Sequence, residues 1–350
     1  MDISIEQILQ MAESLRASDI HITVGAVCRY RVNGQLKSGD DYKLSADDTK
    51  NLVMALLTER EKYVLAKKGE VTFSRTIKVG RYRIHVLKQQ GVYGVVIHVV
   101  NMQIPALEEM NLPDAVCELI DKKKGLVLVT GPAGMGKSTT IASFLNAIND
   151  KYAYNMVTLE RPIEYLYEQG NSIVSQREVG IDTSSFASGL RAAMVGDADV
   201  IYVCEMKDVE TVEAALFAAE NGCLVFASLH TIGAAVTIER MINMFPQEQQ
   251  SKIRVQLSSV LEAVISKQLI PALDGEERVA AYEVMYMTPA MRTLIKEGKI
   301  HQISASVQGS RKHGMQTMDD AIYDLYAERK ISAENALRYA LDSVVLERKI

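Results

Sequence analysis

The sequence predicts an α+β domain built on an antiparallel sheet, followed by an α/β domain with a mainly parallel sheet and a small helical C-terminal region. Three observations predict it. Residues 1–100 mix amphipathic helices with alternating extended runs broken at glycine, residues 114–288 carry short wholly apolar runs between helical segments, and strand-like runs stop after residue 288. Alternating runs suit a sheet covered on one face, whereas continuous apolar runs suit parallel strands buried on both.

The elements follow in order. Ser4 with Gln7 makes a capping box, and Ile5, Ile8, Leu9, Ala12 and Leu15 recur at helical spacing, so the chain opens with a helix. The runs IHITV and CRYRVNGQL read as strands, with Asn33-Gly34 as a hairpin signal. A second helix starts at Ser45, with Asp48 three positions on, and runs through Leu52, Val53, Leu56 and Leu57. The following stretch, from VTFSR to VVIHVV, reads as strands broken at Gly80 and Gly91. Pro105 and Pro113 then bracket a segment without periodicity, and residues 101–113 are taken as a linker. Beyond it GLVLVT, NMVTL, NSIVS, DVIYVC and CLVFASL form the strands of the second domain, residues 114–288. Residues 289–350 hold four short helices, in TPAMRTLIKEGK, HQISASVQGS, TMDDAIYDLYAE and SAENALRYAL.

Composition narrows the function. A net charge of -5 and the lack of any aromatic-basic stretch disfavour a nucleic-acid partner. Cys28, Cys117, Cys204 and Cys223 match no metal or redox spacing and suit reduced thiols. The amino terminus lacks a basic n-region, and no apolar run approaches the roughly 18 residues of a membrane span, so a cytosolic chain is expected.

The sharpest motif is GPAGMGKS, Gly131 to Ser138, set between the strand GLVLVT and the helical segment TTIASFLNAI. It fits GxxxxGK[ST]. Glycines let backbone N–H groups close around phosphate oxygens, the helix amino terminus adds partial positive charge, Lys137 reaches the outer phosphates, and Ser138 can ligate Mg²⁺. The loop Gly131, Pro132, Ala133, Gly134, Met135, Gly136, Lys137, Ser138 and Thr139 is therefore the expected cradle for ATP. Hydrolysis also needs a carboxylate to orient water. In an open α/β sheet functional groups gather outside the carboxyl ends of strands. Glu205 follows DVIYVC, Glu160 ends NMVTL with Glu164 a helical turn on, and His230 follows CLVFASL. A solvated acid or a structural histidine would occupy the same strand ends, so spacing alone leaves the roles open. Arg81 and Arg83 alternate on one strand face and by themselves read as a solvated basic face.

The P-loop, LERPIEY, SIVSQREVGIDTSSFASGLRAAM, DVIYVCEMKDVET, LVFASLHT, FPQEQQSKIRVQL and PAMRTLIKEGKIHQI together resemble, in this order, the secretion ATPase superfamily, and in particular the type IV pilus retraction ATPases. ASDIHITVG extends the resemblance to the amino-terminal domain. The resemblance implies a PAS-like N-terminal domain, a RecA-like P-loop ATPase domain, Mg²⁺ and ATP as cofactors, and a homo-hexamer ring at the cytoplasmic base of a pilus machine. The partners it implies are an inner-membrane platform protein and a paralogous pilus ATPase, with the ring recruited to the inner face of the membrane. By resemblance Lys137 and Ser138 are the Walker A pair and Glu205 is the catalytic Walker B glutamate. Glu160 and Glu164 match the aspartate-box glutamates, His230 matches the second His-box histidine, and Arg81 and Arg83 match arginines that reach a neighbour's nucleotide. Mg²⁺ falls to Ser138, with Glu160 or Glu205 acting through water. In AMRTLIKEGK, Met291, Leu294 and Ile295 read as a core stripe, and only the resemblance to the retraction class gives the segment a force direction.

The chain departs from the family pattern at several places. Arg161 stands where the family has an acid, Val195, Gly196 and Ala198 replace arginine, glutamate and proline, Cys223 takes the first His-box position, and Lys207 replaces an arginine. Arg161, Val195 and Gly196 are expected to move the net charge near the site by two units, with Arg161 pairing with Glu160, Glu164 or Asp197. Two functions follow: an ATP-hydrolysing hexameric motor for pilus retraction, pilin disassembly and twitching motility, or an accessory ring subunit that binds ATP but turns over slowly beside an active paralogue.

Overall fold

The computed structural model describes residues 4–32, 35–78, 80–100, 103–275 and 277–350, with Asp40 described by its backbone alone. The chain divides into two compact units, residues 1–103 and 104–350.

In the first unit a six-stranded antiparallel sheet has the order β3-β2-β1-β6-β5-β4. The strands are β1 (Asp19–Thr23), β2 (Val27–Val32), β3 (Gln35–Lys43), β4 (Glu70–Ile77), β5 (Gly80–Gln89) and β6 (Val92–Val100). Helices α1 (Ile5–Ser14) and α2 (Ala46–Leu56) begin at the two expected capping boxes, Ser4/Gln7 and Ser45/Asp48. Asn33-Gly34 lies outside the described residues, while the strands on either side pair with Val32 opposite Gln35. A third helix, α3 (Glu59–Lys68), was not legible in the sequence. Its EREKYVLAKK buries only Leu65 fully, so it lacks an apolar stripe and is held by its Thr58/Glu61 capping box and a left-handed Gly69 at its end. On β5, Tyr82 and Ile84 are buried, which leaves Arg81 and Arg83 on the opposite face.

The second unit is an α/β layer structure. Its seven strands are β7 (Gly125–Thr130), β8 (Asn155–Glu160), β9 (Ile173–Glu178), β10 (Val200–Val203), β11 (Leu224–Leu229), β12 (Leu261–Pro271) and β13 (Arg278–Tyr286). They lie in the order β13-β12-β7-β11-β10-β8-β9, all parallel except the antiparallel β13. Every residue of β7, β10 and β11 is buried, as continuous apolar runs require. Helices α4 (Asp114–Cys117), α5 (Lys137–Lys151), α6 (Phe186–Val195), α7 (Val209–Glu220), α8 (Ala234–Asn243) and α9 (Gln247–Val260) separate the strands. The segment from 104 to 113, expected as linker, packs Leu107, Met110 and Leu112 into the core under β7 and α5.

The β12–β13 hairpin is the main element the sequence reading left unnamed. The C-terminal region holds α10 (Pro289–Lys296), α11 (Ile303–Gly309), α12 (Met318–Ala327) and α13 (Ala333–Tyr339), as expected, and a fifth short helix, α14 (Ser343–Glu347). Glu283 of β13 is buried and accepts from the backbone N–H of Ala234 and of Met318, the first residues of α8 and α12. One carboxylate thus caps two helices, and it places the C-terminal helices against the sheet. Met291 and Ile295 of α10 are buried in the main core, as an ordinary apolar stripe.

Candidate nucleotide-binding site

Parallel register decides which residues meet. Thr130 at the end of β7 lies opposite Leu229 of β11, and Val203 of β10 lies opposite both Ala227 of β11 and Leu159 of β8. The residues after these strand ends, Gly131, His230, Glu205 and Glu160, therefore emerge on the same edge of the sheet.

The loop itself is shaped by close packing. Gly131 has φ +141, and a Cβ there would lie 2.3 Å from the Lys267 carbonyl oxygen, so only glycine fits. Gly136, φ +75, precedes α5 and offers no capping side chain, so the first-turn amides of that helix are left for a ligand. Pro132 supplies a carbonyl to Lys137, Ala133 is exposed at the loop tip, and the Gly134 carbonyl faces Arg278 Nη1 at 3.4 Å. Met135 packs its sulfur 3.2 Å from the Leu269 N–H, and Thr139 Oγ1 lies 2.8 Å from the Tyr165 hydroxyl. Ser138 sits half-buried in the first turn of α5.

Lys137 Nζ donates to the Gly131 and Pro132 carbonyls at 2.8 and 2.9 Å and lies 3.2 Å from His230 Nδ1. Burial pushes its pKa down, opposed by the charge of Glu205 and, less, by that of Glu164. His230 Nε2 lies 2.9 Å from Glu205 Oε1, and Lys207 Nζ lies 2.6 Å from Glu205 Oε2. An unbroken chain thus runs from Lys137 through His230 to Glu205 and Lys207. Lys207, which stands in place of an arginine, thus still sets a cation on the Glu205 carboxylate, as an ammonium rather than a two-pronged guanidinium.

Glu160 takes a different position. It is buried, its oxygens accept from the Thr158 hydroxyl (2.7 Å), the Glu164 backbone N–H (3.2 Å) and the Gln176 amide (3.3 Å), and burial raises its pKa to about 7. Glu164 is half-buried one turn further on. Cys204, between these acids and Glu205, has its thiol pushed up to about 11 by burial and by the nearby carboxylates, so it is an inert packing residue.

Three expectations are corrected. Val195 and Gly196 end α6, before the start of β10, and Asn155 at the start of β8 donates to the Gly196 carbonyl at 2.8 Å, so both lie at the sheet edge opposite the P-loop. The charge change expected near the site is therefore mostly elsewhere. Cys223 likewise precedes β11; it is buried with its thiol on the Ala198 carbonyl at 3.2 Å, one strand length from His230. Arg161 is exposed and, among the described residues, forms no ion pair with Glu160, Glu164 or Asp197. The Glu160 oxygens are turned to Thr158, Gln176 and the Glu164 N–H, and Asp197 lies with Gly196 at the opposite edge. Arg81 and Arg83 belong to the first unit.

A strand, a glycine loop and a helix at the carboxyl edge of a parallel sheet, with a glutamate and a histidine on neighbouring strand ends, define a P-loop nucleotide-binding domain. The chain belongs to the family described as Type II/IV secretion system protein, whose model matches residues 1–277. It is 38% identical to a twitching motility protein of Neisseria gonorrhoeae, over 94% of this chain and 90% of that protein. It is also 38% identical to the type IV pilus retraction ATPase PilT of Pseudomonas aeruginosa, over 96% of this chain and 97% of that protein. A crystal structure of the pilus retraction motor PilT with bound ADP superposes with a TM-score of 0.93 at 43% identity, covering 99% of both chains.

Proposed function

We propose that this chain is an ATP-hydrolysing motor that powers type IV pilus retraction, withdrawing pilin subunits from the fibre and so driving twitching motility. The observation that carries the reading is the hydrogen-bonded chain from Lys137 through His230 to Glu205 at the mouth of the Gly131–Ser138 loop. Its chemistry fits phosphoryl transfer to water. The loop amides hold the phosphates, and Lys137 exchanges its carbonyl partners for phosphate oxygens. Glu205 orients the attacking water and accepts its proton, while the bond from the γ-phosphorus to its bridging oxygen breaks to leave ADP and phosphate. His230, between Lys137 and Glu205, couples the phosphate side of the site to the water side.

Mg²⁺ suits the Ser138 hydroxyl, and it would neutralise phosphate charge there. Glu205, whose side chain is partly open to solvent, is better placed than Glu160 to act through a water, because Glu160 is buried. The first unit is read as PAS-like and the second as RecA-like, assembled as a hexamer in which Arg81 and Arg83 act on a neighbour's nucleotide. Among the described residues no helix is long and apolar enough to cross a membrane. Location is therefore proposed from the family: the cytoplasmic face of the inner membrane, against a pilus platform protein and beside a paralogous ATPase.

The accessory reading rests on the departures at Arg161, Val195, Gly196, Cys223 and Lys207; Val195, Gly196 and Cys223 lie a strand length from the site, Arg161 is exposed, and Lys207 keeps a cation on Glu205. The test is phosphate release by the purified protein with Glu205→Gln as control, together with pilus retraction in cells carrying each form. Turnover abolished by the substitution, with pili that extend but do not withdraw, supports the motor. A wild type no faster than Glu205→Gln would overturn it.

A further inference from the structure

A second lysine lies behind the phosphate loop. Lys267 of β12 is 4% exposed, and its Nζ donates to Thr140 Oγ1 at 3.1 Å and sits 5.3 Å over the Tyr282 ring. That Nζ is 3.2 Å from where a Cβ on Gly136 would stand, while the carbonyl of the same residue packs against Gly131. One residue therefore braces both ends of the loop.

The charges around it are of one sign. On β13 it faces Arg278, which reaches the Gly134 carbonyl, and the Tyr282 hydroxyl, which bonds the Met110 carbonyl; on α5 it faces Thr140, with Lys137 at the head of the same helix. Among the described residues no carboxylate pairs with it. A buried cation without a counter-ion is costly, and such a cost is tolerated where a ligand supplies the missing charge. The loop beside it is built for phosphate.

We infer that Lys267 is a positioning residue of the nucleotide site, bracing the loop from behind and contributing its charge to affinity for the β-phosphate. The inference rests on the P-loop reading. Burial, and next the field of Arg278, lowers the Lys267 pKa to about 8. Below that pH the ammonium is charged and favours the anion. Above it the attraction fades, so ATP affinity falls as pH rises from 7 to 9.5.

The experiment is calorimetric binding of ATP, ADP and AMP to the full chain, comparing wild type, Lys267→Met, Lys267→Arg and Lys137→Ala across that pH range. At pH 7, Lys267→Met is expected to weaken ATP and ADP about five- to tenfold, with AMP changed less than about twofold, since only the first two present a β-phosphate. The wild-type fall with pH is expected to be clearly smaller in Lys267→Arg, whose charge does not titrate, and this variant decides the matter if Lys267→Met does not fold. Affinity unchanged in Lys267→Met, equal losses for all three nucleotides, or the same pH dependence in Lys267→Arg would each overturn the inference. A wild type that binds no nucleotide, like Lys137→Ala, would instead remove the P-loop reading and this inference with it.

Discussion

The Lys137 ammonium lies 3.2 Å from Nδ1 of His230, and the other nitrogen of that ring lies 2.9 Å from Glu205. With Nδ1 accepting from the ammonium, the Nε2–H is the group directed at the Glu205 carboxylate. The two halves of the chemistry, phosphate binding and water activation, are joined by one imidazole.

Lys137→Ala is the first prediction. The lysine is the point charge that the loop offers to the outer phosphates, and its charge-assisted hydrogen bonds are worth ~3 kcal/mol. Nucleotide affinity should drop by about a hundredfold and phosphate release should cease. Titration with ATP at high protein concentration measures this, and wild-type affinity would end the P-loop assignment.

Glu205→Gln should separate binding from turnover. The amide is nearly isosteric, and its oxygen can still accept from His230 Nε2, but it cannot take a proton from water. A loss of roughly two to four orders of magnitude in phosphate release is expected, with ATP binding kept within a few-fold. Normal hydrolysis would transfer the role to another acid.

How much of this was legible depends on whether a residue's partners lie near it in sequence or across the sheet. The loop from Gly131 to Ser138 is a local pattern, and the strands GLVLVT, DVIYVC and CLVFASL declare themselves by continuous apolar runs. Their parallel order then brings Glu205 and His230 beside the loop. Lys267 and Glu283 were invisible for the opposite reason. A single lysine inside ISKQLIP reads as a polar strand position, and its contact with Thr140 spans 127 residues. The departures at Val195, Gly196 and Cys223 were misplaced because sequence distance from a motif says nothing about which edge of the sheet a residue occupies.

Glu160 carries a pH dependence of stability. Burial, opposed by hydrogen bonds from Thr158, Glu164 and Gln176, raises its carboxyl from 4.5 to about 7. The folded state therefore holds a proton that the unfolded state has released, and stability falls as pH rises from 4.5 through 7. The contribution is of the order of 3 kcal/mol, fully lost above pH 7. Glu160→Gln cannot titrate, so its denaturation midpoint should vary less between pH 5 and pH 8 than the wild type's. Equal slopes in the two proteins would show that Glu160 is ionised as readily in the fold as outside it.

Arg161→Asp tests whether the exposed guanidinium disturbs the metal. Because the side chain points into solvent without an ion pair among the described residues, water and salt screen it. Phosphate release plotted against Mg²⁺ concentration should shift by less than about threefold in the variant, a size expected of a screened surface charge. A tenfold acceleration on substitution would mean that Arg161 turns toward the nucleotide and holds the wild type back.

Arg81 and Arg83 offer a prediction about the assembly. Both lie on the face of β5 opposite buried Tyr82 and Ile84, in the first unit, whereas the loop, Glu205 and His230 lie in the second. Arginines that neutralise developing γ-phosphate charge are worth orders of magnitude in rate, so Arg81→Ala/Arg83→Ala should hydrolyse ATP slowly although its own P-loop is intact. If the arginines serve a neighbour, a Glu205→Gln subunit, dead by itself, still donates them. Rings mixed from the two inactive forms then contain junctions where intact arginines face an intact glutamate, and activity should reappear, greatest near equal proportions. Mixed rings, verified by tagging one form, that stay inactive at every ratio would place the arginines' action within their own subunit or outside catalysis.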